Sequence, residues 1–231
     1  MIDLHSHILP AMDDGSQSIE ESILMLRMQA EQGVKVVVAT PHFFANEESA
    51  KAFLKRREKS ANLLKKNLPE NMPQIRLGAE VQYYQGISQM KELEQLQIEN
   101  SNLLLLEMPF ARWDESVFRE LTELSSRGKM QVVLAHIERY LPFQKASVFE
   151  ELLKRGILIQ VNAGYFTSLR TRFRALSLLK KGMIHFIGSD CHDIKNRPPK
   201  IAKALAIIEK KFGTNFLCQM NEFGYAMLEH K

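Results

Sequence analysis

Ile2-Asp3-Leu4-His5-Ser6-His7 opens the chain, and Ile187-Gly188-Ser189-Asp190-Cys191-His192 lies near its other end. Each is a short apolar run that finishes in two metal-ligand residue types, two positions apart. Side chains two apart on a strand share a face, so each run reads as a strand delivering a pair of donors to one place. The runs 2–5 and 183–187 read as the first and last of seven strands, with 34–39, 75–80, 103–107, 131–135 and 157–161 between them. Helix-like stretches separate most of these strands. Ser18 stands three positions before Glu21, the spacing of a capping box, ahead of a helix carrying Ile23, Leu26 and Ala30 on one face. Gly33, Gly128, Gly156 and Gly182 each close a helical stretch just before a strand. A short helix is expected over 89–96 and a final one over 214–231. Such alternation argues for βα units and a parallel sheet. Seven units of this length close more naturally into a barrel than into an open sheet.

The 231 residues are 45% hydrophobic and 25% charged, the balance of a globular chain able to bury a sizeable core. No Pro/Gly/Ser-rich linker divides them, so a single domain over 1–231 is expected. Cys191 and Cys218 make neither a disulfide framework nor a thiolate zinc site. The N-terminus has no basic segment followed by an apolar run, and no stretch approaches the length of a membrane span. A cytoplasmic protein without membrane insertion is the expectation. The net charge of +4 permits an anionic substrate. No base-stacking platform accompanies it, and nucleic acid is not expected as a partner.

Chemistry on a βα barrel sits at the C-terminal ends of the strands, and six of the seven strands end in metal-ligand residue types. They contribute His5 and His7, with Asp13 and Asp14 in the loop beyond; Thr40-Pro41-His42; Gly78-Ala79-Glu80; Glu107; His136; and Asp190 with His192. The sixth ends in Asn162-Ala163-Gly164, a weak ligand set. Five of the seven histidines thus fall at one face. His185, inside a strand, reads as structural, and His230 as an inert terminal residue. Four carboxylates and five imidazoles in one barrel mouth would be costly to desolvate unpaired. Divalent cations remove both that cost and the mutual repulsion of the acids. Imidazole and carboxylate without thiolate suit Zn, Mn or Fe. The residues alone do not choose between Asp13 and Asp14.

Asp3-Leu4-His5-Ser6-His7, Thr40-Pro41-His42-Phe43, Gly78-Ala79-Glu80, His136-Ile137-Glu138-Arg139-Tyr140 and Gly188-Ser189-Asp190-Cys191-His192, in that order, resemble the polymerase and histidinol phosphatase (PHP) superfamily. More narrowly, the chain resembles the bacterial manganese-dependent tyrosine-protein phosphatases encoded with capsule and exopolysaccharide genes. Generic PHP phosphatases commonly carry histidines where this chain has Asp14 and Glu107, and both departures match the tyrosine-phosphatase branch. The resemblance implies an α/β fold, a distorted seven-stranded (β/α) barrel of PHP type, with three metal ions, manganese in that family, at the strand ends.

It further implies that His5, His7 and Asp190 hold one ion, with Glu80 bridging to a second completed by Glu107 and His136. Asp14, His42 and His192 would hold the third. The implied reaction is hydrolysis of phosphotyrosine by a metal-bridging hydroxide, with Arg139 and Arg197 holding the non-transferred phosphate oxygens. The implied partner is the tyrosine-phosphorylated tail of a bacterial kinase controlling polysaccharide export. Homo-oligomerisation stays open. A small phosphate such as histidinol phosphate is the alternative substrate. Cys191 and Arg197 formally match the spacing of thiol-dependent tyrosine phosphatases. The residues between them lack the glycines such a phosphate-cradling loop needs, and strand alternation turns Cys191 away from the ligands. Two basic segments, Lys51 to Lys66 and Arg170-Arg172-Arg174, could dock an acidic peptide. Of the loop aromatics Phe43, Phe44, Phe110, Trp113, Tyr140, Tyr165 and Phe166, some could line a groove for a tyrosine ring.

Overall fold

The computed structural model describes residues 1–126 and 130–229; Gly128 and His230 lie outside them. The strands are β1 (Ile2–Ser6), β2 (Val36–Ala39), β3 (His42–Phe43), β4 (Gln74–Leu77), β5 (Glu80–Gln82), β6 (Leu103–Glu107), β7 (Gln131–Leu134), β8 (Leu158–Asn162) and β9 (Phe186–Gly188). The helices are α1 (Ile19–Glu31), α2 (Ala50–Asn67), α3 (Glu115–Ser126), α4 (Ala146–Lys154), α5 (Ala163–Thr167), α6 (Arg172–Lys180), α7 (Ile201–Phe212) and α8 (Thr214–Glu229). Every strand pairing is parallel, in the orders β1-β2-β4 and β3-β5-β6-β7-β8-β9. The result is an α/β fold with a curled parallel sheet.

One expected strand is broken in two, and another is followed by a further short strand. The run at 34–39 continues as β3 after Thr40-Pro41, and the run at 75–80 becomes β4 and β5 around Gly78-Ala79. Proline has no N–H for the ladder, but its carbonyl still accepts from Glu80 N–H at 3.0 Å, while Gly78 N–H donates to Ala39 O at 2.8 Å. The breaks therefore turn the sheet without parting it. At the far edge, an isolated parallel bridge joins Ser6, at the end of β1, to Cys191, in the segment just after β9. Asp190 N–H donates to His5 O at 2.8 Å, and His7 N–H donates to Cys191 O at 3.0 Å.

Strand β1 pairs Ile2 with Val36 and Asp3 with Val37, but Ser6 with Ala39, so it carries one extra residue between Asp3 and Ser6. This bulge reverses the alternation where it matters. Leu4 packs in an inner cluster with Val36, Val38, Leu103, Leu105, Val133, Ala135 and Phe186. Asp3, its neighbour, points the other way and accepts from Gln29 of α1 at 2.6 Å. Strict alternation would send His5 after Asp3, away from Leu4. The bulge returns His5, and with it His7, to the side of Leu4.

Ser18 caps α1, its hydroxyl accepting from Glu21 N–H at 3.2 Å. Glu21 reaches back to Gln17 N–H at 3.0 Å, one residue earlier than a standard capping box. The buried stripe of α1 is Ser22, Met25, Leu26 and Gln29, so Leu26 alone of the three expected residues is fully buried. In place of the helix expected over 89–96, two 3₁₀ segments occur, Ile87–Gln89 and Lys91–Leu96. They bury Ile87, Leu93 and Leu96 within the outer core.

The last strand starts later than the expected 183–187, so His185 lies just before β9 rather than inside a strand, and its role is structural through its bonds to β8. Its Nδ1 accepts from Ile159 N–H at 3.1 Å, and its own N–H donates to Ile159 O at 2.9 Å. Burial pushes its pKa down to about 4. A ring held neutral in the fold but free to charge once unfolded adds stability above the unfolded pKa, near 6.5, and loses it as pH falls toward 4. His185→Gln is therefore expected to remove up to about 2 kcal/mol of the stability difference between pH 7 and pH 5. Urea unfolding of both proteins at the two pH values checks this; parallel pH profiles would contradict it.

Candidate metal centre

All nine expected ligand residues meet at one end of the sheet. Glu80, 1% exposed, is at the centre of the cluster. Its Oε2 lies 3.1 Å from His5 Nε2, 3.3 Å from His7 Nε2 and 3.1 Å from His42 Nδ1, while its Oε1 lies 2.8 Å from His136 Nε2. His136 Nε2 is also 3.3 Å from Glu107 Oε1. Asp190 Oδ1 stands 3.6 Å from His5 Nε2 and 3.5 Å from His7 Nε2. Asp14, 65% exposed, reaches in from the loop after β1, with Oδ1 at 3.5 Å from His42 Nε2 and 3.4 Å from His192 Nε2. Three overlapping sets have one donor atom per residue within 4.8 Å of one another: His5, His7 and Asp190; His7, Asp14, His42 and His192; and His42, Glu80 and Glu107.

The donors are held by strained or cramped backbone. His136 and Asp190 adopt positive φ, at 32° and 52°, a region costly for side-chain-bearing residues and found where the surroundings over-determine it. At Asp190 the N–H bond to His5 O supplies that constraint. Gly188 lies against His5 so closely that a Cβ would sit 2.5 Å from His5 Cβ and 2.8 Å from Gln160 Nε2. Gly15 is similar, with His7 Cβ and His7 O each 2.4 Å from a Cβ placed there.

The arrangement fits cations. His42 Nδ1, Glu80 Oε2 and His192 Nε2 are buried without a hydrogen-bond partner, and His5 Nε2 faces His7 Nε2 at 3.1 Å. Orphaned buried donors of these types are what a divalent ion satisfies. Their protonation follows the same crowding. Burial opposes a charged His7 ring, but Asp13, Asp190 and Glu80 outweigh it and lift its pKa well above the usual imidazole range. Burial likewise opposes charge on His136, yet Glu107 and Glu80 take it up to about 9. Burial favours a neutral Glu80, yet His5, His136 and His7 hold its carboxyl well below the usual range. Protons on imidazole thus occupy the place in which a metal ion would compete.

A family model described as capsular polysaccharide synthesis, CpsB/CapC, matches residues 1–222. The chain belongs to the CpsB/CapC family. It is 30% identical to the tyrosine-protein phosphatase YwqE of Bacillus subtilis, over 100% of this chain and 92% of that protein. It is 31% identical to the tyrosine-protein phosphatase CpsB of Streptococcus agalactiae, over 92% of this chain and 91% of the relative. Among solved structures, one described as YwqE from Bacillus subtilis and CpsB from Streptococcus pneumoniae, unique metal-dependent tyrosine phosphatases, superposes with a TM-score of 0.85. It has 28% identity and covers 100% of this chain and 96% of that one. A D-hydantoinase superposes at a TM-score of 0.53 and 12% identity, a likeness of fold alone.

In this CpsB/CapC chain, adjacent acids take different positions. Asp13 Oδ2 accepts from His7 Nδ1 at 2.7 Å and from His42 N–H at 2.9 Å, and its Oδ1 accepts from Gly15 N–H at 2.9 Å. It orients His7 from behind, whereas Asp14 faces His42 and His192. Both expected arginines converge on one atom, Asp190 Oδ2, at 2.5 Å for Arg139 and 2.8 Å for Arg197. Cys191 is fully buried, burial pushes its thiol pKa up, and Gln29 Nε2 is 3.8 Å from its sulfur. It is a core residue of this fold.

Sequence reasoning missed Gln160. Its Oε1 accepts from His136 N–H at 2.6 Å and lies 3.3 Å from His5 Nδ1, while its Nε2 donates to Asn162 Oδ1 at 2.9 Å. Asn162 Nδ2 in turn donates to Asp190 Oδ2 at 2.7 Å. One buried amide thus ties three of the donors together and leaves His5 Nε2 free to face the cluster. The available signal was a lone glutamine inside the apolar run at 157–161. Glu138 was also missed: it is half-buried, accepts from Asn162 N–H at 3.2 Å, and desolvation pushes its carboxyl pKa up to about 7. Of the basic segments, Arg57 and Arg56 on α2 donate to Gly78 O and Met12 O, each at 2.6 Å, and so brace the site's loops. Arg170 and Arg174 are exposed, while Arg172 is tied to Phe166 O at 3.1 Å.

Proposed function

We infer that this chain is a metal-dependent protein-tyrosine phosphatase acting in capsular polysaccharide synthesis. The observation that carries this reading is the convergence of nine imidazole and carboxylate donors and two arginines around Glu80 and Asp190 in a CpsB/CapC chain. Within it we propose three ions, manganese by family resemblance. His5, His7 and Asp190 would hold the first, with Glu80 shared with a second at Glu107 and His136, and Asp14, His42 and His192 would hold the third. We further propose that residues 1–231 form one PHP-type domain whose curled sheet is a distorted seven-stranded barrel; the hydrogen bonds of His5 and His7 to Asp190 and Cys191, just after β9, support closure. The proposed setting is cytoplasmic, and the proposed substrate is the phosphorylated tail of a bacterial tyrosine kinase. No helix among the described residues is long and apolar enough to cross a membrane.

Bound divalent ions supply Lewis acidity and lower the pKa of water at the site. The protein's own groups do the rest. Arg139 and Arg197, 36% and 39% exposed, present guanidinium groups to non-transferred phosphate oxygens from the side of Asp190. Asp13 and Gln160 keep His7 and His5 in the orientation that turns their Nε2 atoms inward. Phe110, 46% exposed, lies beside both His136 and Arg139, its ring centroid 6.0 Å from the His136 ring and 5.9 Å from the guanidinium carbon. It offers an aromatic face to a phenol ring whose phosphate is at the arginines. Phe43, Trp113, Tyr140 and Phe166 are buried and belong to the core. Phenolate is a good leaving group, so this chemistry does not require a strong general acid.

The test is a paired turnover assay on protein stripped by chelation and reloaded with Mn. A phosphotyrosine peptide and histidinol phosphate are offered side by side. The expected result is preference for the peptide, lost on stripping. Arg139→Ala should lower kcat/KM by about 10²–10³, the usual cost of losing one preorganised donor to a developing anion. Preference for histidinol phosphate would return the small-phosphate alternative.

A further inference from the structure

A groove of about 370 Å³ lies beside the candidate site, between the loop after β6 and the loop before α4. Trp113, Phe118, Pro142 and Phe143 line it, and Arg112 and Lys145 stand at its rim. Phe143 is 44% exposed, and Arg112 and Lys145 are exposed and form no ion pair among the described residues. The floor is rigid. Gln144 Nε2 donates to Ala111 O at 2.7 Å and binds the two loops together, and Trp113 Nε1 donates to Pro109 O at 2.9 Å. The groove and the site share the buried ring of Tyr140, which stacks on Phe110 and is tilted against Trp113. Phe110 lies 5.8 Å from Tyr140, and Tyr140 lies 5.3 Å from Trp113 on the groove side.

We propose that this groove is a substrate subsite that binds an acidic, aromatic-containing peptide segment flanking the phosphotyrosine. Three aromatic rings and a proline suit an aromatic side chain, and two unpaired cations suit carboxylates. The opposite side of the site has the reverse character. There a groove of about 260 Å³ is lined by Asp13, Asp14, Glu47 and Glu48 with Arg56, and Arg56 is engaged by Glu48 and Met12 O. An acidic segment is therefore directed toward Arg112 and Lys145. At roughly 3.3–3.6 Å per extended residue, the ring-to-ring path from Phe110 corresponds to a side chain about three or four residues from the phosphotyrosine.

This inference rests on the phosphatase reading, and the test separates the two. Wild type, Phe143→Ser and the double variant Arg112→Ala/Lys145→Ala are loaded with Mn and assayed on three substrates. These are p-nitrophenyl phosphate, a phosphotyrosine peptide with Glu and Phe placed three and four residues to either side, and the same peptide with alanines there. The expected result is that wild type prefers the acidic-aromatic peptide through KM. The double variant should raise that KM by about three- to tenfold, the range for two exposed ion pairs, with the effect fading in high salt. The KM for p-nitrophenyl phosphate and kcat should stay unchanged in both variants. Equal KM values for the two peptides in wild type would overturn the subsite, as would an equal fall on all three substrates. Absence of p-nitrophenyl phosphate turnover in wild type would instead overturn the phosphatase reading beneath it.

Discussion

Glu80→Gln is expected to lower phosphatase turnover by about a hundred- to a few-thousandfold and to reduce the metal bound per chain. The carboxylate is almost wholly buried and faces four imidazoles, with its two oxygens between 2.8 and 3.3 Å from nitrogens of His5, His7, His42 and His136. Glutamine keeps the shape but removes the charge, and it turns an amide N–H₂ toward nitrogens that need an acceptor or a cation. Breaking a buried ionic set by removing one member costs about 3–5 kcal/mol, and each 1.4 kcal/mol is tenfold in an equilibrium or a rate. Elemental analysis of the purified protein gives metal content, and a phosphotyrosine peptide assay gives turnover. A variant that keeps full metal content and activity within tenfold of wild type would remove Glu80 from the proposed bridging role. Restoring the charge one methylene short, with Glu80→Asp, should recover metal binding in part and activity less.

The second large effect is expected at a residue with no side chain. Gly188→Ala would place a Cβ 2.5 Å from His5 Cβ, 2.8 Å from Gln160 Nε2 and 3.1 Å from His5 N. None of these atoms is the free end of a flexible chain: His5 is fully buried, and Gln160 is committed to His136 and Asn162. The added methyl must push β1 away from β9 at the point where Asp190 N–H binds His5 O. Overpacking of a rigid site costs about 1–3 kcal/mol, so a fall in Tm of about 2–12 °C is expected for a chain of this size. Metal affinity and turnover should fall with it, because His5, Gln160 and Asp190 move together. Gly164→Ala is the control, since nothing lies within 4 Å of a Cβ there. A Gly188→Ala protein with unchanged Tm and metal affinity would show that the strands have room that the structure denies them.

The relation between sequence and site can be followed through particular residues. His5, His7, His42, Glu80, Glu107, His136, Asp190 and His192 could be found because each ends an apolar run, and polar ligands at strand ends repeat too often for chance. The strand at 103–107 was legible to the residue, since five consecutive core positions with no glycine or proline leave no other boundary. The 3₁₀ segments over 87–96 were not legible as such: their polar and apolar residues pattern like a short helix, and the docking of Leu93 and Leu96 in the core decides the tighter winding. Asp13 and Asp14 are chemically identical neighbours, so nothing local separates them. The turn that brings Gly15 against His7 assigns one to the back of the ring and the other to the open side.

By itself, the sequence determined the alternating parallel architecture, the end of the sheet that carries the chemistry and the donor types gathered there, because each of these depends on local periodicity and residue chemistry. Tertiary structure alone decided the bulge that turns His5 inward, the Gln160 amide that links His5, His136 and Asp190, the convergence of Arg139 and Arg197 on a single carboxylate oxygen, and the groove at Trp113 and Phe143. Those features depend on which strands become neighbours and how closely they approach. That is set by packing across the whole sheet, between residues as far apart in the chain as His5 and Gly188.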